Sequence, residues 1–409
     1  MRMNGGCSAR SGRVFKLVTR LGEDLSFDRS EAFLVESPLR ICPLGAHVDH
    51  QGGVVTGMTV DRQVVMTAVP ETDGIVRVAS LDFPGEVVVE LGEQVPTRTG
   101  DWGDYVRAAV AVLSREHSLR IGFRAAISGD LPGAGLSSSA AVLVAYLLAL
   151  TRVNEIEVGR EEISSLVQKA ENQYVGVASG RLDQSIILFA KHGYLTRVDC
   201  SDLSIEQVPL PTGSKDFHVL VAFSGVGRAL AGSGFNTRVS ECHEAARLLL
   251  ELGGKAPRED PMLSDVQSEI FEQYSTHLPQ TQRRRAAHYF GEQRRVTSGE
   301  EAWRTGDLNR FGALMNASGA SSIHNYESGT AELVTLYEAL RDVSGVYGTR
   351  FSGGGFGGSC VALIEPDAGP SIIDEVKRQY GVAHPEAAAE ASFHICRPGG
   401  PARVLDLEA

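Results

Sequence analysis

Residues 132–150 place the strongest constraint on the fold, because a glycine- and serine-rich segment there runs directly into an apolar stretch, PGAGLSSSAAVLVAYLLAL. The apolar part, residues 140–150, has eleven residues and covers only about half of a bilayer core. It therefore predicts a buried helix rather than a membrane anchor. The chain of 409 residues is 43% hydrophobic, which supplies ample material for a large core, and its length suggests two or three domains.

Strand and helix patterns surround this helix. Between residues 33 and 90, β-branched segments separated by glycine-rich turns predict strands, with VVTGMTV and QVVMTAV as two separate ones. Apolar residues at helical spacing predict helices at 102–115 and 161–175. Residues 187–200, ILFAKHGYLTRVDC, are typical of a hairpin. The mixture predicts an α+β fold.

The best candidate for a domain boundary is PLPTGSKD at residues 209–216. It divides the chain into an N-terminal domain, residues 1–208, and a C-terminal domain, residues 209–409. In the second domain, residues 346–366, VYGTRFSGGGFGGSCVALIEP, predict a strand, a glycine-rich turn and another strand.

The net charge of the chain limits the classes of partner that it can bind. The formal net charge of −12 provides no general attractive electrostatic field for nucleic acid or anionic membranes, so any anionic ligand needs a local site.

The six cysteines are scattered without a CxxC pair, and no secretory signal opens the chain, which indicates reduced intracellular thiols. Residues 1–22 carry basic residues without an acid, which fits either a transit peptide or the approach to a first helix. We expect a cytoplasmic protein with small-molecule partners.

The segment PGAGLSSSAA, residues 132–141, can hold phosphate. Its small residues allow close approach of the backbone, and three hydroxyls precede the N-terminus of a helix. Backbone N–H groups and the helix dipole at such a position favour a polyphosphate. The alternative is that Ser137 to Ser139 simply cap a buried helix, although one serine would be enough for that.

Residues 353–358, GGGFGG, formally match the dinucleotide-binding pattern GxGxxG, which requires a helix directly afterwards. The following SCVALI favours a strand, so a tight turn, close to a ligand or to another backbone, fits better. No GxxxxGK[ST] loop and no DFG or HRD signature is present in the sequence. A phosphotransferase with this sequence would therefore be neither a P-loop enzyme nor a protein kinase.

A polar cluster lies within residues 40–53, RICPLGAHVDHQGG. It places Arg40, His47, Asp49 and His50 within eleven residues, flanked by glycines. Three interpretations remain open at this point: fixed polar groups that bind a hydroxyl-rich substrate, a metal site, or structural residues that satisfy one another.

Three segments, in this order, resemble the galactokinase branch of the GHMP small-molecule kinases. Residues 38–53, PLRICPLGAHVDHQGG, are similar to the opening motif of that branch, PGRxNLIGEHTDYNGG. Residues 135–140 are its phosphate motif GLSSSA, and residues 350–363, RFSGGGFGGSCVAL, match its late glycine motif. Weaker similarity lies between them, so the resemblance covers nearly the whole chain.

The resemblance implies a two-domain fold, with an N-terminal domain like ribosomal S5 domain 2 and a ferredoxin-like C-terminal domain. It also implies Asp183 as the catalytic carboxylate with Arg40 as its positive partner, although from the residues alone Asp183 would be assigned to a helix cap. Mg²⁺ would be held by Ser139 and Glu171. The substrate would contact Ala46, His47, Asp49, Phe235 and Gly353. ATP would lie under the loop formed by Gly133, Gly135, Leu136, Ser137, Ser138, Ser139 and Ala140.

Two departures from the family motif concern the substrate. The branch has a glutamate in GEHTD that contacts the sugar O6, and this chain has Ala46 there. Loss of that charge removes a repulsion of about 1 to 4 kcal/mol toward a carboxylate at C6. A tyrosine that contacts the sugar in the family is replaced by Phe235.

The form ICPLGAHxDHQGG is similar to that of the galacturonate-acting group of plants, and it implies phosphorylation of D-galacturonate at the anomeric hydroxyl. Arg181 and Arg228 are candidate cations for the C6 carboxylate. The alternatives are a neutral-sugar 1-kinase, such as a galactokinase or arabinokinase, and a non-catalytic sugar sensor of the galactokinase type.

Overall fold

Residues with alternating β-branched and small side chains form the first of two sheets. The computed structural model describes residues 5–22, 29–92, 94–131, 135–227, 234–256 and 258–407. The strands of the first sheet up to residue 209 are β1 Phe33–Ile41, β2 Val54–Glu71, β3 Ile75–Ser80, β4 Glu86–Glu90, β5 Gly122–Gly129, β6 Tyr194–Asp199 and β7 Ile205–Pro209. The order β1-β2-β5-β3-β4 is antiparallel except for the parallel pair β3–β5, and β6 joins β2 to β7.

Helices cover this sheet. They are α1 Gly5–Gly22, α2 Asp104–Leu113, α3 Ser138–Val153, α4 Arg160–Lys169 and α5 Leu182–Phe189, and a π-helical turn, Ala170–Val175, follows α4. The apolar stretch identified in the sequence lies within α3, and most of its side chains are buried in the main hydrophobic core. Because each buried Leu or Val contributes about 1.5–3 kcal/mol, this helix fixes the loop at its N-terminus firmly against the sheet.

The second sheet lies in the C-terminal half. Its strands are β8 His218–Phe223, β9 Val346–Phe351, β10 Ser359–Ile364 and β11 Ser392–Cys396, in the antiparallel order β11-β8-β10-β9. This is the strand order of a ferredoxin-like unit. The helices are α6 Phe235–Leu252, α7 Ser268–Tyr274, α8 Gln280–Arg304, α9 Leu308–Ser321, α10 Ala331–Arg341, α11 Gly369–Ala383 and α12 Pro385–Glu390. A last strand, β12 Arg403–Asp406, returns to the first sheet and pairs with β1.

The structure confirms the α+β class and the strand–glycine loop–strand at β9–β10. The division at residue 208 stays a prediction. Two local predictions are wrong. The segments VVTGMTV and QVVMTAV form one continuous strand, β2, and the first part of the expected hairpin is helical, in α5. Both differences involve Gly57 of β2, which packs against Ile186 of α5. A Cβ atom at position 57 would lie 2.4 Å from Ile186 Cγ1.

None of the helices in the described ranges has the length and apolar character needed to cross a bilayer.

Candidate active site

One cavity is lined by side chains from distant segments of the chain, and its lining includes every residue that the family resemblance assigned to catalysis, to substrate contact or to metal. Its lining consists of Arg40, Cys42, Ala46, His47, Asp49, Ser139, Glu171, Val177, Ser179, Gly180, Leu182, Asp183, Phe235, Arg350, Phe351, Gly353 and Gly354. We refer to it as the polar cavity.

Asp183 and Arg40 form an ion pair in this cavity. Arg40 donates to Asp183 Oδ1 from Nε at 2.6 Å and from Nη2 at 2.5 Å. The other carboxylate oxygen, Oδ2, accepts a hydrogen bond from the Ser137 hydroxyl. The Arg40 side chain is 3% exposed and that of Asp183 is 24% exposed. The carboxylate is therefore held from two sides and still open to the cavity.

Two helix N-termini bring these groups together. Asp183 lies in the first turn of α5, and Ser137 is the residue before α3, in the left-handed region at φ 59°. Because the N-terminal ends of helices favour negative charge, this place suits both the carboxylate and an anionic ligand.

The loop before α3 is pinned between the two sheets. The backbone N–H of Arg40 donates to the Leu136 carbonyl at 3.3 Å, and the Ser352 hydroxyl donates to the Gly135 carbonyl at 3.0 Å. Gly135 has φ +80°, and a Cβ there would lie 3.2 Å from the Ser352 carbonyl oxygen. The side chains of Leu136 and Ala140 lie in the core, so only their backbone can reach a ligand. Gly133 lies outside the described residues.

Glu171 provides a set of oxygen ligands next to this loop. Its Oε1 accepts from the Ser139 hydroxyl at 3.2 Å, and its Oε2 accepts from the Ser179 hydroxyl at 2.6 Å. Glu171 is buried in the π-helical turn after α4. A carboxylate with two neighbouring hydroxyls is a hard oxygen donor set of the kind that Mg²⁺ prefers.

Asp49 also lines the polar cavity, close enough to Asp183 for the two charges to interact. Its Oδ2 accepts the backbone N–H of Leu182 at 3.4 Å. Gly180 allows this approach, because a Cβ there would lie 2.3 Å from Asp49 Oδ2. Burial, and then the negative charge of Asp183, raise the pKa of Asp49 to about 6. Asp49 is thus an acceptor that loses its charge in mildly acidic solution.

His47 is a buried residue with an unusual backbone. It adopts φ 57°, and its ring stacks on Tyr326 with centroids 4.2 Å apart. Its Nε2 has no hydrogen-bond partner among the described residues. Burial, and then the positive charges nearby, hold the pKa of His47 well below its ordinary value, so the ring is neutral. A neutral imidazole with a free ring nitrogen can bond to a ligand hydroxyl.

Residues far along the chain position the loop that contains Ala46. Glu292 Oε1, on α8, accepts the backbone N–H of Gly45 at 3.1 Å and that of Ala46 at 3.3 Å. His288 Nε2 bonds to the Ala46 carbonyl at 2.8 Å. Burial is the largest influence on Glu292 and opposes its charge, but Arg295, at 2.6 Å, together with other neighbouring positive charges and the Ser318 hydroxyl, outweighs burial and lowers the pKa of Glu292. No sequence pattern indicates these contacts, because α8 lies more than 240 residues away along the chain.

The remaining residues singled out in the sequence differ in their position relative to the polar cavity, and only Phe235 is part of its lining. Phe235 begins α6 and meets the His50 ring edge-on at 5.9 Å. His50 itself bonds to the Tyr326 hydroxyl at 3.1 Å, outside the cavity lining. Arg181 donates to Gln168 at 2.8 Å and does not line the cavity. Arg228 lies outside the described residues.

The possible metal ligands of the HxDH motif, His47, Asp49 and His50, do not form a group that could hold one metal ion. The group of three possible ligands found in the described ranges lies elsewhere, at Glu116, His117 and Glu162. Sequence reasoning did not single out Ser179, which lines the polar cavity, and it assigned no role to Arg350, although Arg350 begins the late glycine motif. No local pattern marks Ser179, because a lone serine is common.

A second cavity of about 350 Å³ adjoins the first. The two cavities share Ser139 and Val177, so the N-terminus of α3 lies between them. The second cavity also contains two aromatic rings, Phe83 and Trp102, nearly parallel and 6.3 Å apart. An apolar, aromatic cavity next to a helix N-terminus suits a flat heterocycle that carries phosphates.

Comparison with known proteins agrees with this arrangement. The family model described as the GHMP kinases N terminal domain matches residues 104–191, and the model for the GHMP kinases C terminal domain matches residues 300–382. Galacturonokinase from Arabidopsis thaliana is 42% identical over 402 residues, which cover 92% of this chain and 95% of that protein. The chain belongs to the GHMP kinase family.

Galactokinases are also similar. The galactokinase of Roseiflexus sp. strain RS-1 is 34% identical over 377 residues, 91% of this chain and 93% of that protein. The crystal structure of Lactococcus lactis galactokinase complexed with galactose has a TM-score of 0.86 and 29% identity, and it covers 98% of this chain and all of that one. The family and the kinase class expected from the sequence are confirmed.

Proposed function

We propose that this protein is an ATP-dependent sugar 1-kinase that transfers the γ-phosphoryl group to the anomeric hydroxyl of D-galacturonate. The observation that carries the proposal is the polar cavity, in which Asp183, its cation Arg40 and an alanine at position 46 lie together. The galacturonokinase relative, at 42% identity over nearly the full length of both chains, supports the same activity.

The second cavity would hold the nucleotide. Its aromatic residues would contact the base, and the N-terminus of α3 would bind the phosphates through backbone N–H groups and the Ser138 and Ser139 hydroxyls. The terminal phosphate would then point through the shared wall toward the sugar. This agrees with the phosphate site expected from the glycine- and serine-rich segment and with the ATP that the family resemblance implies.

Asp183 would act as the base. A sugar hydroxyl is a weak nucleophile, and a carboxylate within hydrogen-bond reach can take its proton as phosphoryl transfer proceeds. Arg40 holds Asp183 Oδ1 with two nitrogens and would stabilise the charge that develops. Ser137 fixes the other oxygen, so the base is oriented before the substrate binds.

A divalent cation, for which we propose Mg²⁺, fits the oxygen donors around Glu171. Ser139 and Glu171 would hold it, and Ser179 would orient the carboxylate. When bound, the cation neutralises charge on the phosphates.

The sugar would bind among Ala46, His47, Asp49, Phe235 and Gly353. His47 Nε2 and the Asp49 carboxylate would bond to sugar hydroxyls, which would give the buried ring nitrogen its missing partner. Ala46 has no polar side-chain group, so it leaves space for a larger group at C6. Phe235 would contribute an apolar contact.

A panel of sugars tests the proposal. The purified protein should release ADP from ATP with D-galacturonate at a higher kcat/KM than with D-galactose, D-glucuronate or L-arabinose. Preference for galactose would favour the neutral-sugar kinase, which the similarity to galactokinases keeps as the second candidate. Absence of turnover with every sugar would contradict a kinase.

A further inference from the structure

The His47 ring is held in place by its neighbours rather than by the preference of its own backbone. His47 adopts φ 57°, in the left-handed region that a histidine seldom occupies, and such a conformation persists only where the surrounding structure fixes it. The residue lines the polar cavity, and its Nε2 is buried without a hydrogen-bond partner among the described residues. The direction of Nε2 therefore depends on what packs against the ring.

Tyr326 packs against that ring. The two rings are parallel to within 5°, with centroids 4.2 Å apart, and the Tyr326 hydroxyl bonds to His50 Nε2 at 3.1 Å. Tyr326 is fully buried and is not part of the cavity lining, so it contacts His47 and not the space for a ligand. A planar ring stacked on an imidazole restricts its rotation, because a turn of the imidazole about its side-chain bonds breaks the stack.

The backbone at Tyr326 is itself fixed. Tyr326 ends the π-helical turn Ser322–Tyr326, and Glu327 after it adopts φ 56°. Arg285 of α8, which is fully buried, donates to the Asn325 carbonyl at 2.5 Å and to Glu327 Oε2 at 2.6 Å. π-Helical turns are rare and occur frequently at functional sites. The turn and the guanidinium that holds it give the Tyr326 ring a defined position.

The same face of α8 also holds the backbone beside His47. His288 lies three residues after Arg285, on the same side of the helix, and its Nε2 bonds to the Ala46 carbonyl at 2.8 Å. The His288 ring is 5.2 Å from that of Tyr326 and 5.9 Å from that of His47, measured between centroids. One helix face thus fixes both the loop before His47 and the ring that stacks on it.

We propose that Tyr326 is a positioning residue, which determines the affinity for the sugar by holding the His47 ring with Nε2 directed at a sugar hydroxyl. This inference rests on the proposed function, because it takes the sugar as the partner of His47. The stack carries this role rather than the hydroxyl, since the hydroxyl bonds to His50, which lies outside the cavity lining. Loss of the aromatic ring at position 326 should weaken binding of the sugar and leave binding of the nucleotide unchanged.

The test is a double-mutant cycle on His47 and Tyr326. Tyr326→Leu removes the ring and should raise the KM for D-galacturonate by about five- to tenfold, the effect of one lost hydrogen bond, with the KM for ATP unchanged within about twofold. Tyr326→Phe keeps the stack, and its KM for the sugar should stay within about twofold of the wild-type value. In the His47→Ala protein, Tyr326→Leu should cause no further change in this KM, because the ring that Tyr326 orients is absent.

Tyr380→Leu is the matched control. Tyr380 is also a buried tyrosine whose hydroxyl bonds to a backbone carbonyl, that of Ser224 at 2.6 Å, and it does not line the polar cavity. Loss of this buried ring should lower the melting temperature without changing the KM for the sugar. A general loss of stability is thereby separated from an effect on the orientation of His47.

The inference is wrong if Tyr326→Leu raises the KM for the sugar as much in the His47→Ala protein as in the wild type, or raises the KM for both substrates equally. An effect of Tyr326→Phe as large as that of Tyr326→Leu would also overturn it. If Tyr326→Leu does not fold, Tyr326→Met replaces it in the cycle, because methionine fills the space without a planar ring, and the same results decide.

Failure of the proposed function gives a different result, which is seen in the wild-type protein before any variant is considered. Turnover of D-galactose and not of D-galacturonate contradicts the proposed substrate alone, and the cycle is then measured with galactose. Absence of turnover with every sugar contradicts the proposed function and, with it, the role of Tyr326.

Discussion

Substitution of Ala46 by glutamate should reverse the preference between an acidic and a neutral sugar. Ala46 lines the polar cavity, and its backbone is fixed by Glu292 and His288, so a longer side chain must extend into the space near the sugar. A new carboxylate there would face the substrate carboxylate.

The magnitude follows from Coulomb's law. Two like charges about 4 Å apart at an effective dielectric constant near 20 repel by about 4 kcal/mol, which corresponds to about 10³-fold. Partial solvation reduces this repulsion, so kcat/KM for galacturonate should fall by roughly 10- to 10³-fold. Galactose should lose less, because its O6 hydroxyl can donate to the new carboxylate.

The assay measures the ratio of kcat/KM for galacturonate over that for galactose, since a general folding defect lowers both values together. Ala46→Gln is the matched control, because it has the same shape as glutamate without the charge. The reasoning is refuted if the ratio in Ala46→Glu stays the same or rises. It is also refuted if Ala46→Gln lowers the ratio as much, since the effect would then be one of size.

Three further predictions concern catalysis, metal and pH. Asp183→Asn should lower kcat by about 10²- to 10⁴-fold with little change in ATP affinity, and more than a tenth of wild-type turnover would exclude it as the base. Ser139→Ala and Glu171→Ala should each raise the Mg²⁺ concentration needed for half-maximal activity, whereas the exposed Glu161→Ala should not; an unchanged requirement in both would point to another metal site. Because the pKa of Asp49 is about 6 and its ionised form accepts hydrogen bonds, kcat/KM should decrease as pH falls below about 6. Asp49→Asn should abolish this decrease, and an identical pH profile in that variant would assign it to another group.

Much of the fold was predictable because strong local patterns agree with the tertiary structure. The helix after GLSSSA and the glycine loop between β9 and β10 follow directly from their sequences. Residues 182–189 were harder, since a short apolar run fits a strand as well as a helix. Gly57 favours the helix, because the absence of a side chain at this position lets Ile186 of α5 pack against the uninterrupted strand β2.

The residues of the candidate site that belong to family motifs were predictable from the sequence. Residues that matter because they are buried beside another segment of the chain were harder to predict. The polar cavity gathers Asp183, Arg40 and the other motif residues as the resemblance implied. Glu292 has no distinctive pattern around it, and its importance comes from being buried next to position 46. Only the packing of α8 against the Ala46 loop shows this.

A competition experiment tests the central claim most directly. The wild-type protein is incubated with ATP, Mg²⁺ and equal concentrations of D-galacturonate and D-galactose, and the products are identified by mass spectrometry and phosphorus NMR. The account predicts that the main product is galacturonate with its phosphate on the anomeric carbon. Galactose 1-phosphate as the main product, or a phosphate on any other hydroxyl of galacturonate, would contradict it.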